Sequence, residues 1–240
     1  MKILSKYLCL LALLISFSSK AQVNLDSLWG VWNDKTQPDT NRLKAMKSIA
    51  WDGYLFSHPD SAFYYAQLMY DFAESVNNKK WMASALNMQG VSFAKRSNYA
   101  KAIDYYTISL KMFEELGNKK GISSTLGNIG NIYKKQGNYT KAIDYYKRSL
   151  KITEETGDKN GIAGSLSNIG MIYYRQNDYA KAIDYHTKSL KSFEEIENKK
   201  GIASCLNNIG LVYKELGNLA KAIEHYTESL IIFEEIGDEK

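Results

Sequence analysis

The amino-acid sequence predicts an all-α protein in which tandem helix-turn-helix units stack into a solenoid. Three observations lead to this prediction. Similar strings recur in register every forty residues, apolar residues in each unit fall at steps of three and four, and glycine-containing turns separate the segments. Only Pro38 and Pro59 are prolines, and both lie early in the chain. Because proline breaks helix interiors, the remaining sequence is free to form long helices.

The first 21 residues have the pattern of a secretory signal peptide. Lys2 and Lys6 precede an apolar segment over residues 8–17, and Ser19 and Ala21 supply a small-x-small ending. The apolar segment is shorter than the ~20 residues that span a bilayer, which disfavours an uncleaved membrane anchor. We therefore predict cleavage after Ala21 and export to the periplasm or the extracellular space.

The charge of the mature chain is close to neutral. The full sequence has a formal charge of +5, but its first 21 residues hold three lysines and no acid, so 28 basic and 26 acidic residues remain. This balance predicts neither nucleic acid nor an anionic membrane as a partner. No later segment is apolar enough to predict membrane insertion. Cys9 lies within the signal peptide, so Cys205 remains alone and no intrachain disulfide is predicted.

The first elements of the mature chain are expected to be atypical. Residues 22–40 are predicted to form a cap helix and a linker, and residues 41–80 a degenerate first repeat. The cap shows apolar residues at helical spacing, namely Leu25, Leu28, Trp29 and Trp32. In the first repeat, a turn over residues 57–60 separates two apolar stripes. Terminal repeats of solenoids commonly depart from the consensus because one face meets water.

Four regular repeats follow, at residues 81–120, 121–160, 161–200 and 201–240. Glycine and alanine mark equivalent positions at a spacing of forty, and these are Gly90, Gly130, Gly170 and Gly210 with Ala102, Ala142, Ala182 and Ala222. The string Lys-Ala-Ile-Asp-Tyr-Tyr occurs at residues 101–106 and again at 141–146, with close copies at 181–186 and 221–226. Recurrence of such strings in register indicates a repeat architecture.

Each regular repeat is predicted to contain two helices. In the repeat over residues 121–160, apolar residues from Ile122 to Tyr133 define the first helix, and the second runs from about Tyr139 to Glu155. Glycine ends both segments, in keeping with its preference for the position after a helix. Small residues at Gly130 and Ala142 are expected where the helices cross, so that a larger residue at Ala142 would overpack the crossing.

The residue pattern resembles the tetratricopeptide repeat family. The resemblance rests on Leu126-x-x-Ile129-Gly130-x-x-Tyr133 followed by Ala142-x-x-x-Tyr146, which the neighbouring repeats also show. It implies a right-handed superhelical solenoid of tandem helix-turn-helix repeats. The period of forty exceeds the usual length of about 34, and Glu154 stands near the usual proline, which indicates longer helices. HEAT-type repeats have a similar length but lack this pairing of glycine and tyrosine.

The sequence offers no catalytic constellation, so no enzymatic activity, cofactor or metal site is predicted. His186 replaces a tyrosine of the apolar pattern, and His225 stands beside one, without cysteine or histidine at ligand spacing. We interpret both as packing residues. Cys205 occupies a column of small residues and is interpreted in the same way.

The resemblance implies that the first helix of each repeat lines a concave face and holds a protein or an extended peptide. The predicted peptide-binding residues are Asn87, Asn128, Asn131, Lys134, Lys135, Asn168, Tyr174, Arg175, Asn207, Asn208 and Lys214. Asparagine amides suit the task because they both donate and accept hydrogen bonds. Two alternatives stay open: the asparagines bond between neighbouring repeats, and the lysines are solvated surface residues.

Two functions are consistent with these expectations. The first is a non-catalytic protein-binding scaffold outside the cytoplasm. The second is the sensory input region of a larger signalling protein, such as a histidine kinase or a transcription regulator. The last repeat keeps its full character and shows no polar closing helix, so the array is expected to continue beyond residue 240. The sequence specifies neither the ligand nor the oligomeric state.

Overall fold

The computed structural model describes residues 24–237, and the predicted signal peptide lies outside this range. Within it, α-helices follow one another with short turns and without strands, as the sequence predicts. The helices are α1 (Leu25–Asn33), α2 (Asp39–Ser48), α3 (Pro59–Ser75), α4 (Lys79–Lys95), α5 (Tyr99–Glu115), α6 (Lys119–Lys135), α7 (Tyr139–Thr156), α8 (Lys159–Arg175), α9 (Tyr179–Glu194), α10 (Lys199–Glu215) and α11 (Leu219–Glu235). A π-helical segment, Ile49–Tyr54, extends α2. Over residues 24–237, no helix combines the length and the apolar character that crossing a bilayer requires.

Each forty-residue repeat consists of two similar helix-plus-turn halves of twenty residues. From α4 onward, an asparagine or aspartate precedes every helix and accepts a hydrogen bond from a backbone N–H of the first turn; Asn138 Oδ1, for example, lies 3.2 Å from the nitrogen of Lys141. The residue before each cap has a positive φ, and these residues are Asn77, Ser97, Gly117, Gly137, Gly157, Asn177, Glu197 and Gly217. Caps and left-handed turns together end one helix and begin the next.

The helix crossing within each repeat is built around glycine and a large ring. At Gly130, an added Cβ would lie 2.8 Å from Cε1 of Tyr146, so the glycine leaves room for the tyrosine ring. Ala142 and Tyr146 are fully buried beside it. The equivalent pairs are Gly90 with Tyr106, Gly170 with His186, and Gly210 with Tyr226. The expected role of small residues at the crossing is therefore confirmed.

A buried serine also joins the two helices of each regular repeat. Ser149 Oγ donates to the carbonyl oxygen of Ser123 at 2.9 Å. The same bond, at 2.8 Å, links Ser109 to Ala83, Ser189 to Ala163, and Ser229 to Ala203. The serines recur every forty residues, but the sequence analysis did not identify them. Their hydroxyls hold the helix pair at a fixed offset without leaving a buried polar group unpaired.

The first repeat is closed by α1, whose aromatic residues pack on α3. The rings of Trp29 and Tyr65 meet edge to face at 5.4 Å, and those of Trp32 and Phe72 at 5.2 Å. Arg42 lies over the Phe72 ring and donates to the carbonyl oxygen of Trp32 at 2.9 Å. These contacts give the degenerate repeat a core in place of the glycine–tyrosine crossing.

Candidate binding groove

The first helices of successive repeats line one face of the array. A groove of about 920 Å³ runs along α2, its π-helical extension, α4 and α6. Its lining residues are Lys44, Lys47, Ser48, Trp51, Asp52, Lys80, Trp81, Ser84, Asn87, Met88, Phe113, Asn118, Lys120, Gly121, Ser124, Thr125 and Asn128. We call this the first groove. A second groove of about 370 Å³ lies along α8 and α10 and is lined by Gly164, Ser167, Asn168, Phe193, Asn198, Lys200, Gly201, Ser204 and Cys205.

The apolar part of the first groove rests on the protein core. Met88 and Phe113 are buried, and Trp51 and Trp81 are half-buried. Both tryptophans pack against the apolar cluster formed by α2, α3 and α4. Their indole rings therefore form a fixed apolar surface that a ligand side chain can contact.

The polar edge of the first groove is cationic. Lys44, Lys47, Lys80 and Lys120 are exposed, and none makes an ion pair with any residue in the described range; Asp52 is the one carboxylate among the lining residues. The first residue of α6, of α8 and of α10 is also a lysine, and these three lysines do form ion pairs. Their ammonium groups pair with glutamates at 2.9, 2.6 and 2.8 Å, in the pairs Lys119–Glu155, Lys159–Glu195 and Lys199–Glu235. The groove lysines thus keep their positive charge available to a ligand.

Two of the predicted asparagines lie in the first groove and bond to each other. Asn128 Nδ2 donates to Asn87 Oδ1 at 3.1 Å, and Asn87 Nδ2 donates to Thr125 Oγ1 at 2.9 Å. These bonds join α4 to α6, which is the alternative arrangement that the sequence analysis left open. The side-chain oxygen of Asn128 accepts no hydrogen bond from the described residues and is a free acceptor at the groove surface.

A third predicted asparagine, Asn168, lies in the second groove and is bonded to a predicted lysine. Lys134 Nζ donates to Asn168 Oδ1 at 2.6 Å. Burial, followed by the positive charges of Arg175 and Lys135, lowers the pKa of Lys134. Asn131 instead accepts a hydrogen bond from the hydroxyl of Tyr146 at 2.7 Å. Lys134 and Asn131 therefore serve contacts within the array.

The other predicted residues line neither groove. Tyr174 donates to Glu215 Oε1 at 3.5 Å, and burial together with the Glu215 carboxylate raises its pKa. Four residues are exposed, namely Lys135, Arg175, Asn207 and Lys214, and Asn208 is half-buried. Their role in binding stays a prediction.

Most residues of the first groove were not predicted from the sequence, because the predicted positions lie near the crossing glycines. Lys80 and Lys120 lie ten residues before Gly90 and Gly130, in the first turns of α4 and α6. The two lysines are forty residues apart, which is the signal that would have found them. Trp51 lies in the degenerate repeat, where no family motif marks the groove position.

Two other reactive side chains, those of His186 and Cys205, are buried within the array. His186 is fully buried against Gly170, and neither ring nitrogen has a hydrogen-bond partner among the described residues. Burial lowers its pKa to about 4. Cys205 is also fully buried, with its Sγ 3.2 Å from Ser189 Oγ, and burial raises the pKa of its thiol. Over residues 24–237 there is no cluster of three histidine, cysteine or acidic residues arranged to hold a metal ion.

Helix pairs stacked at a constant offset, with a groove along their first helices, define a helical-repeat scaffold. Comparison with known families makes this assignment specific. The family model described as tetratricopeptide repeat matches residues 81–155 and 161–235, which is more than half of the chain. The chain therefore belongs to the tetratricopeptide repeat family. No curated protein matches it at a significant level.

Solved structures share the fold at low sequence identity. BtubC (BKLC) from P. vanneervenii is 15% identical with a TM-score of 0.72, over 90% of this chain and 89% of that chain. NprR in complex with its cognate peptide NprX is 19% identical with a TM-score of 0.66, over 88% and 61%. A Signal Transduction ATPase with Numerous Domains (STAND) protein with a tetratricopeptide repeat sensor, from Pyrococcus horikoshii, is 20% identical with a TM-score of 0.63, over 86% and 35%. The chain thus spans only part of the last two proteins.

Proposed function

We propose that this protein is a scaffold that binds an extended segment of another protein, or a free peptide, along the first helices of its repeats. The observation that carries the proposal is the first groove, which combines a fixed apolar surface with lysines that have no ion-pair partner among residues 24–237. Such a combination suits a peptide with mixed side chains. The structurally similar NprR was solved with a bound peptide, which supports the same use of the fold here.

The proposal is tested by selecting peptides of about twelve residues from a random display library and measuring their affinity by fluorescence anisotropy. The variant Ser124→Trp/Ser204→Trp places a large side chain in each groove. It should weaken binding by at least about tenfold, since the bound segment would be displaced. The matched control is Thr107→Trp/Thr227→Trp, which adds the same side chains at exposed positions of the second helices α5 and α11. Equal affinity for both variants, or no selected peptide, would contradict the proposal.

We propose further that the protein acts by binding and not by catalysis. The groove presents lysine, serine, asparagine and tryptophan side chains, whereas His186 is fully buried in a helix crossing. A nucleophile needs a base within hydrogen-bond reach, and no histidine or carboxylate of the described part of the chain is bonded to Ser84 or Ser124. Retention of a selected peptide, unchanged in mass after long incubation, is the expected result.

Export is part of the same proposal and rests on the sequence of the first 21 residues. Expression of the full chain in a bacterium is expected to yield a mature product that starts at Gln22 in the periplasmic or extracellular fraction. An Ala21→Leu variant should be processed poorly, because signal peptidase requires a small residue there. A cytoplasmic product that retains Met1 would contradict export.

A second candidate function is the sensory input region of a larger signalling protein. The observation that favours it is the structural similarity to a STAND protein with a tetratricopeptide repeat sensor, of which this chain spans 35%. Sequencing the gene beyond codon 240 tests it. A membrane-spanning segment followed by a kinase or DNA-binding domain would support this candidate, and a stop codon would reject it.

A further inference from the structure

We infer that the ligand of the first groove is an acidic peptide segment that carries at least one large apolar side chain. This inference rests on the proposed peptide-binding function and deepens it by naming the ligand class and the part of the array that holds it. It places the ligand on α2, α4 and α6, whereas the contacts predicted from the sequence lie on the first helices of the four regular repeats and none lies on α2.

The charge of the first groove selects for acidic side chains. Four of its lining residues are lysines and one, Asp52, is a carboxylate. The lysines sit on three successive first helices, with Lys44 and Lys47 on α2, Lys80 on α4 and Lys120 on α6. A segment that crosses these helices would meet positive charge along its whole length, and carboxylates would complement it.

The second groove provides an internal comparison. Position 120 is lysine, but the equivalent position 160 is asparagine, and its side-chain oxygen accepts a hydrogen bond from Asn198 Nδ2 at 3.0 Å. The positions equivalent to Lys44 and Lys47 are Gly164 and Ser167 on α8, and Ser204 and Asn207 on α10. Lys200 is the one cation among the residues that line the second groove. Among the residues that line the two grooves, lysines are therefore concentrated in the first groove, which extends over the first three repeats.

The apolar surface of the first groove calls for an anchor side chain. Trp51 and Trp81 are half-buried and offer indole surface beside the buried Met88 and Phe113. The equivalents of Trp81 in the later repeats are Gly121, Gly161 and Gly201. A phenylalanine, tyrosine or leucine of the ligand would remove this surface from water, and the lysines around it would hold the flanking carboxylates.

Single-stranded nucleic acid is the other polymer that cationic and aromatic residues can bind. It requires aromatic rings that stand free for base stacking. Here both tryptophans are half-buried and pack against the core cluster, so they suit an apolar side chain better than a stack of bases. An acidic peptide is therefore the ligand that we propose.

The test uses the full chain and the peptides selected from the random library. We expect the selected set to be rich in aspartate and glutamate and to contain a large apolar residue. Lys80→Glu/Lys120→Glu should weaken their binding at least about tenfold. The control Lys111→Glu/Lys147→Glu makes the same charge change at exposed positions of the second helices α5 and α7 and should leave affinity within about twofold. Exchange of the anchor residue for alanine in the peptide should also abolish most of the binding.

The outcomes separate this inference from the proposed function. Selected peptides that are neutral or basic, or that bind Lys80→Glu/Lys120→Glu as well as the wild type, would overturn the acidic-ligand inference. If these peptides still lost their binding in Ser124→Trp/Ser204→Trp, the proposed binding of peptides in the grooves would remain supported. Tighter binding of a single-stranded thymidine oligonucleotide than of any selected peptide, lost in Lys80→Glu/Lys120→Glu, would overturn both.

Discussion

Gly130 and Gly127 lie one helical turn apart on α6 and face different surroundings. An added Cβ at Gly130 would meet the Tyr146 ring at 2.8 Å, whereas at Gly127 no atom lies within 4 Å. We expect Gly130→Ala to lower the free energy of unfolding by about 1–3 kcal/mol, because the added methyl group would force the fully buried ring to shift. Gly127→Ala should raise it by up to about 1 kcal/mol, because alanine is the better helix former. Urea unfolding of both variants measures the difference; equal effects would contradict the crossing described here.

His186 is predicted to make the stability of the fold depend on pH. Its pKa is lowered from an ordinary value of 6.5 to about 4 by burial, so between these values the unfolded chain binds a proton that the folded chain does not. The contribution of the neutral His186 to the free energy of unfolding is therefore fully present above pH of about 6.5. As the pH drops toward 4, this contribution falls by as much as about 3 kcal/mol.

The control for this prediction is His186→Tyr, which restores the residue type found at Tyr106, Tyr146 and Tyr226. His58 and His225 stay in both proteins, so the comparison isolates the change at residue 186. As the pH decreases from 7 to 4, the free energy of unfolding of the wild type should fall relative to that of the variant. Urea unfolding measures this difference. A constant difference would show that His186 does not titrate as its burial requires.

At the scale of single elements, the turns decide where each helix ends. Glu197 occupies a left-handed turn position with φ of 53°, where Gly117, Gly137, Gly157 and Gly217 stand in other turns. A residue with a side chain is strained there by roughly 1 kcal/mol, so Glu197→Gly should stabilise the protein despite the flexibility of glycine. The same exchange at Glu194, inside the last turn of α9, should destabilise it by about 1 kcal/mol. Thermal unfolding of the two variants gives the test, and a loss of stability in both would argue against strain at residue 197.

Most of the element structure was predictable from the sequence, since it depends on short-range patterns. The glycine at residue 157 and the apolar spacing of residues 122–133 marked helix ends and faces directly, and the observed α7 differs from its predicted range by one residue. The buried Ser149 was missed, because a serine in a helix is usually exposed and only its bond to the preceding helix α6 shows its role. Likewise, the π-helical segment that extends α2 has no pattern of its own.

At the scale of the whole molecule, the family and the solenoid were predictable, but the groove was only partly so. Asn87 and Asn128 were identified because they lie near the crossing glycines. Their bond to each other, and the contact of Lys134 with Asn168, depend on how one repeat is rotated against the next, which no local pattern encodes. For the same reason, the convergence of Trp51 and Trp81 on one groove became visible only in three dimensions.

Binding of a peptide along the first helices of the array can be tested by site-specific photocrosslinking. A photoreactive benzoylphenylalanine replaces either Ser124, in the first groove, or Thr107, exposed on the second helix α5. The chain is then irradiated with a selected peptide. We predict a covalent adduct from position 124 and none from position 107. An adduct from position 107 alone would place the ligand on the second helices and contradict binding along the first helices.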